Sequence, residues 1–468
     1  MAGRSLAVAH ETSMPARRHR LEPVPAVLAV VGGIILAIST STGPSLLGLG
    51  IMAAGLAWRP GFGLSLLAVS LPFFLFPKKL GGMAFSMPEL ILLATVVGTA
   101  LYALRRWWSG GQTGIATLAT PFDRPIALFL AAALLSLLAS EVLRVSLRDL
   151  RTLVLEPILA FYLGAWFLRS RHERALLLTA LLLGAVAAAA LGLYQYLFTE
   201  HVVEVEGAKR ILGPYLSPNH MGLYLGRAIP IAVALSLFAP RTRPLAIPLL
   251  ILLTTALFLT FSVGAWMATL LAVGTVTLLW NGRAALALTA SALMVAAAAL
   301  PILSLERVSS HFSLSRGTSF IRIQLWQSSL EMIRDHPLLG VGMDNFLYHY
   351  NSSYLQDAAA AEPSLSHPHN ILLNFWLQMG ALGVLAIGWL LAALGRCWAS
   401  LWRLPQPSLE RAILAGIAGA TVDLVVHGMV DNSYFLVDLA FHFWLLAVML
   451  VTIRRSPSPT LSHEAQME

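Results

Sequence analysis

The residues best able to do chemistry gather between Arg322 and Asn370. They are Arg322-x-x-x-Trp326, His336-Pro337-Leu338-Leu339-Gly340-Val341-Gly342, and Ser366-His367-Pro368-His369-Asn370 opening a new apolar run. Polar side chains this dense between apolar runs exceed what packing demands. Further cations, Arg144, Arg148, Arg151, Lys209 and Arg210, stand at the ends of earlier apolar runs. Several guanidinium groups at one membrane boundary suit a phosphate or diphosphate, because each planar fork binds two oxygens. The alternative is interfacial anchoring by snorkelling side chains. Arg144 fits anchoring better, whereas Arg210 and Arg322 adjoin polar loop motifs and fit function.

These residues are positioned by a membrane protein. Of 468 residues 57% are hydrophobic and 12% charged, against about 25% charged in an ordinary soluble domain, and mean hydropathy is +0.74. The single cysteine, Cys397, excludes an internal disulfide and a thiolate metal cluster. The net charge of +8 does not mark a nucleic-acid binder, since most Lys and Arg lie in short gaps between apolar runs, where they set topology.

With about 20 residues needed per span, apolar runs fall near 25–41, 44–58, 61–76, 87–105, 122–140, 148–168, 174–198, 219–239, 243–261, 263–280, 284–303, 369–395, 411–431 and 434–453. The fold class is thus all-α, a polytopic transmembrane helical bundle of about 12–14 spans. A cytoplasmic N-terminus puts Arg59, Arg105, Arg169, Arg241, Arg283, Arg396 and Arg454 inside, as the positive-inside rule asks. The division is a retained cytoplasmic tail 1–24, an N-terminal bundle 25–303, an extracytoplasmic loop 304–368, C-terminal helices 369–453 and a disordered cytoplasmic tail 454–468. In the long loop, apolar Ile323, Trp326, Leu330 and Ile333 have helical spacing, which predicts an amphipathic helix on the outer membrane surface.

Ionisable residues inside spans face a bundle interior or a wet cavity. Glu89 lies near the outer end of its run, and Glu156, Arg227 and Asp423 lie roughly 12 Å below that surface at 1.5 Å per residue. Asp423, His427 and Asp431 recur every fourth residue along one helix face, as do Asp438 and His442 on the next run. One reading is a shared outward cavity. The other is a set of interhelical ion pairs, for instance Arg227 with Asp423 or Glu156.

The stretch Arg210-Ile211-Leu212-Gly213-Pro214-Tyr215-Leu216-Ser217-Pro218-Asn219-His220, followed by Arg322-x-x-x-Trp326, the His336–Gly342 motif, His367-Pro368-His369-Asn370 and Gly380-Ala381-Leu382-Gly383, resembles the O-antigen ligase and polymerase superfamily. The resemblance runs from about Arg148 to Phe443, and His427-x-x-x-Asp431 fits it. Such proteins are similar to lipid-dependent glycosyltransferases of the GT-C type. The resemblance implies transfer of a glycan from a polyprenyl (undecaprenyl) diphosphate carrier to an acceptor hydroxyl on the outer side of the bacterial cytoplasmic membrane, inverting, with no metal and no cofactor. The acceptor is a glycan, a lipid core or a protein, and membrane lipid is the other partner.

On this pattern Arg210 and Arg322 hold the diphosphate and His369 takes the acceptor proton. Arg148, Arg151, Asn219, His220, Arg227, Trp326, His367, Asn370 and Asp431 complete the substrate site. The chemistry agrees, because a diphosphate leaving group needs cations and an aligned base, and an imidazole titrates near neutrality. Asn370 either orients His369 or a sugar hydroxyl, or satisfies the first amides of the following helix. One departure is Ser262-Val263-Gly264, where many members carry Ser-Arg-Gly, so Arg227 or Arg151 is expected to compensate. Ligase, polymerase and protein O-oligosaccharyltransferase share these motifs, with ligase the leading reading. A transporter of lipid-linked glycan or a small solute is the alternative of another class, which lacks the expected repeated halves.

Overall fold

The computed structural model describes residues 23–110, 119–205, 208–284, 287, 317–360 and 363–455. The expected tails and the run near 284–303 lie almost wholly outside them. The helices are α1 (Pro23–Ile38), α2 (Thr42–Leu56), α3 (Pro60–Ser70), α4 (Met87–Trp108), α5 (Asp123–Ser136), α6 (Leu143–Asp149), α7 (Glu156–Phe167), α8 (Arg171–Phe198), α9 (Pro218–Phe238), α10 (Arg243–Leu259) and α11 (Val263–Trp280). The long segment before the last three helices contains α12 (Gly317–Asp335), and α13 (Ile371–Trp402), α14 (Ser408–Gly428) and α15 (Val437–Arg454) complete the bundle. The protein is an all-α polytopic membrane protein. Among the described residues eight helices are long and apolar enough to cross a membrane, and three more apolar helices, starting at Pro23, Thr42 and Pro60, are shorter.

Local sequence explains where these helices begin. Ser86 and Glu89 form a capping box on α4, with the Ser86 N–H donating to Glu89 Oε2 at 2.6 Å, and Ser170 with Glu173 does the same for α8. Each pair satisfies two amides that the first turn leaves without partners. Between α6 and α7 the chain makes a π turn, Leu150–Leu155. Pro157, just beyond it, lacks the N–H that an α-helix would direct at Leu153. Helix α15 is buried on nearly every side, with Trp444 at its centre, as expected of a helix apolar all round. Helices α10 and α11 turn Leu245, Ile251, Phe258 and Met267 outward.

One feature departs from the sequence expectation. Short antiparallel hairpins, β1 (Lys78–Leu80) with β2 (Met83–Phe85) and β3 (Val203–Val205) with β4 (Ala208–Arg210), stand among the helices. The second presents Arg210. Helix α12 has the predicted helical form, with Trp326 and Ile333 of the stripe partly buried against protein. Its buried residues are Leu325, Ser328, Ser329 and Met332, which join Val341, Phe346, Tyr350 and Leu377 in a second core, while Leu330 is 55% exposed. Burying Leu325 and Met332 contributes roughly 1.5–3 kcal/mol each.

The His336–Gly342 motif and Gly380 turn out to be halves of one backbone lock. Helix α13 is kinked at Gly380, where φ is +66°. The Val341 N–H donates to the Leu377 carbonyl at 2.7 Å, and the Trp376 indole donates to the Pro337 carbonyl at 2.8 Å. A Cβ on Gly380 would meet the Leu338 carbonyl oxygen at 1.8 Å, and one on Gly340 (φ +68°) would meet the Leu377 oxygen at 2.3 Å. Gly380→Ala is therefore expected to destabilise by on the order of 4 kcal/mol or more. Gly388→Ala in the same helix, where a Cβ meets nothing within 4 Å, should be neutral or better. Thermal unfolding in detergent distinguishes them, and equal melting temperatures would refute the lock.

Candidate functional site

The bundle has two chemically distinct ends. At one, Glu410 accepts from Arg174 at 3.2 Å and pairs with Arg171 at 3.3 Å, and Arg455 donates to the carbonyls of Ala165 and Ala119. The predicted site residues converge on the other.

There His369 sits in the turn before α13 with φ +50°. That left-handed conformation is uncommon for a residue with a side chain. Three contacts hold the turn. The Trp326 indole donates to the Pro368 carbonyl at 3.0 Å, Asn370 Oδ1 caps α13 by accepting from the N–H groups of Leu372 and Leu373, and Asn370 Nδ2 donates to the Met429 carbonyl. Trp326 and Asn370 thus act on the backbone that aims His369, and of the two readings of Asn370 the capping one describes its contacts. His369 Nδ1 donates to Asp431 Oδ1 at 2.9 Å, with side-chain exposures of 20% and 6%. Asp431 Oδ1 also accepts the Asn432 N–H at 2.8 Å. An Nδ1–H held on a carboxylate leaves Nε2 with its lone pair.

The His367 ring lies 4.2 Å from that of His369, edge to face. Burial, then the neighbouring His369, push the His367 imidazole down to about 3, helped by the charges of Arg322 and His220 and opposed by Asp431. Arg322 therefore lies within electrostatic reach of the histidine pair, and among the described residues it forms no ion pair. Burial pushes the Asp431 carboxyl up, but the hydrogen bond from His369 and the surrounding imidazoles hold it well below the usual carboxylate range. In the unfolded chain a histidine takes up a proton below about pH 6.5, whereas folded His367 resists until about 3. Stability is thus lost as pH falls from about 6.5 towards 3. The melting temperature in detergent should drop between about pH 7 and about pH 5, less so in His367→Gln, and an identical drop in both would sink this assignment.

Arg210 ends β4 and donates from Nε to the Thr260 carbonyl at 2.7 Å and from Nη2 to Asn219 Oδ1 at 3.0 Å. It thereby reaches the turn before Val263, the position where the family pattern has arginine. The next residue, His220, bonds Asp438 Oδ1 at 3.0 Å, and Tyr215 donates to the other oxygen at 3.0 Å. Arg227 is 1% exposed and donates to the carbonyls of Leu439, at 2.9 Å, and Ser433. It braces the segment 429–436 that carries Asp431, and its contacts are with protein backbone. Arg148 pairs with Asp149 at 3.1 Å and Asp344 at 2.5 Å, and Arg151 pairs with Glu89 at 2.7 Å and Glu156 at 3.7 Å. Arg227 is thus held by backbone carbonyls and Arg151 by carboxylates.

A line of amides escaped the sequence reading. Gln378 accepts the Asp344 N–H at 2.7 Å and donates to Asn374, which donates to Asn432 beside Asp431. The available signal was Asn370, Asn374 and Gln378 at every fourth position of an otherwise apolar run. For a metal, His367, His369 and Asp431 each offer one ligand atom within 4.8 Å of the others. The same Asp431 oxygen already accepts two hydrogen bonds, from His369 and Asn432.

No curated protein matches this chain. Residues 248–388, which hold α11, Arg322, the backbone lock and the His369 turn, match the O-antigen ligase family model, and over that stretch the chain is similar to the O-antigen ligases.

Proposed function

We propose that this protein transfers a glycan from a polyprenyl diphosphate to an acceptor hydroxyl on the outer side of the bacterial cytoplasmic membrane, as an O-antigen ligase-like, inverting, metal-independent enzyme. A membrane glycosyltransferase-like activity on glycan and lipid-linked substrates is what its family supports. The observation that carries the finer reading is the His369–Asp431 pair at 2.9 Å with Arg322 in electrostatic reach.

In this mechanism the acceptor oxygen attacks the anomeric carbon as the bond from that carbon to the diphosphate oxygen breaks. His369 Nε2 takes the hydroxyl proton, and Asp431 stabilises the imidazolium that forms. The diphosphate leaves with both bonding electrons, its charge met by Arg322 and Arg210. One displacement inverts the anomeric configuration.

The test is transfer by the purified protein in nanodiscs from an undecaprenyl-diphosphate-linked repeat unit, with EDTA present and with zinc added. Transfer that persists in EDTA supports the reading. Transfer abolished by EDTA and restored by zinc would make His367, His369 and Asp431 a metal site instead. The product separates the relatives: glycan on a lipid core marks a ligase, on a growing chain a polymerase, and on protein an oligosaccharyltransferase. Movement of the lipid without transfer would favour a transporter.

A further inference from the structure

A cavity of about 560 Å³ opens beside the histidine pair, with His367 on its wall and Phe74, Phe435, Gln378 and the Arg148 and Arg151 clusters around it. That volume falls in the roughly 300–1,000 Å³ range of small-ligand sites. Its charge does not suit a diphosphate. Two guanidinium groups meet three carboxylates on its wall, Asp149 and Asp344 on Arg148 and Glu89 on Arg151. An incoming diphosphate would have to displace carboxylates from the same forks and then sit beside them, and such like-charge contacts are costly.

A sugar meets no such conflict. Its hydroxyls donate to carboxylates, accept from guanidinium and amide N–H groups, and leave C–H faces for aromatic rings. Glu89 lines the cavity, and its Oε1 makes only the ion pair to Arg151 and no hydrogen bond. Arg322 and Arg210 belong to neither carboxylate cluster.

We infer that this cavity is the acceptor-sugar subsite, in which neutral glycan hydroxyls bind Glu89, Asp344 and their arginines and one hydroxyl is passed by His367 to His369, while the donor diphosphate binds apart from it. This rests on the transferase reading above. Glu89→Gln and Asp344→Asn test it, and glutamine retains the oxygen that caps α4.

With an undecaprenyl-diphosphate-linked donor and a neutral hexose oligosaccharide as acceptor, either variant should raise the acceptor KM about tenfold or more. The donor KM should stay within about twofold. If neutralising a carboxylate instead lowers the donor KM or tightens binding of undecaprenyl diphosphate about threefold or more, the diphosphate occupies the cavity and the inference is overturned. Unchanged acceptor KM in both variants also overturns it. Wild type that transfers to no acceptor defeats the transferase reading. Saturation-transfer NMR of the oligosaccharide then still decides the cavity, since binding weakened by Glu89→Gln supports it and unaltered or absent binding refutes it.

Discussion

His369→Ala should lower kcat by about 10²- to 10⁴-fold, the usual contribution of a positioned general base, with both KM values little changed. His369 stands in a strained turn fixed by Trp326 and by the cap at Asn370, and its Nδ1 is committed to Asp431. Asp431→Asn should cost about as much, because an amide facing Nδ1 permits the tautomer that removes the lone pair from Nε2. The double variant should be scarcely worse than either single one, since the two residues act as a unit. Steady-state transfer kinetics check this. If the two losses multiply, or if His367→Gln alone reproduces the effect, His369 is not the base.

The second large effect is expected at Arg322. Its charge reaches the histidine pair, and it belongs to neither of the carboxylate clusters that neutralise Arg148 and Arg151. Arg322→Ala should lower kcat by about 10²- to 10³-fold, the scale of losing a preorganised electrostatic contact to a developing anion. Lysine should restore part of the rate, because it keeps the charge but loses the two-oxygen fork. Arg148→Ala removes a cation already held by Asp149 and Asp344 and should not slow departure of the diphosphate comparably. Single-turnover transfer with saturating donor measures these rates. Equal losses for Arg322→Ala and Arg148→Ala would move the diphosphate to the carboxylate-lined cavity.

Much of this was legible in the residues. The membrane class follows from apolar runs as long as a bilayer is thick, a constraint that acts on each segment separately. The cap at Asn370 is equally local, joining residues two and three positions apart. The Arg, His and Asp motifs stood out because their side chains are too polar to be left in lipid without a partner.

What the tertiary structure decided is which partner each one has. His369 and Asp431 are 62 positions apart and Arg148 and Asp344 are 196 apart, so whether they meet depends on the rotation and depth of separate helices. Periodicity within a helix does not specify either. By the same logic Arg151 became the partner of Glu89 and Arg227 a brace for 429–436. The hairpin that presents Arg210 and the lock between Gly340 and Gly380 likewise arise from backbone contacts across the fold, which leave no pattern in either segment alone. Composition and local spacing determined a membrane protein with clustered arginine and histidine motifs, and long-range packing determined which cations remain outside the carboxylate clusters and which imidazole is held on a carboxylate.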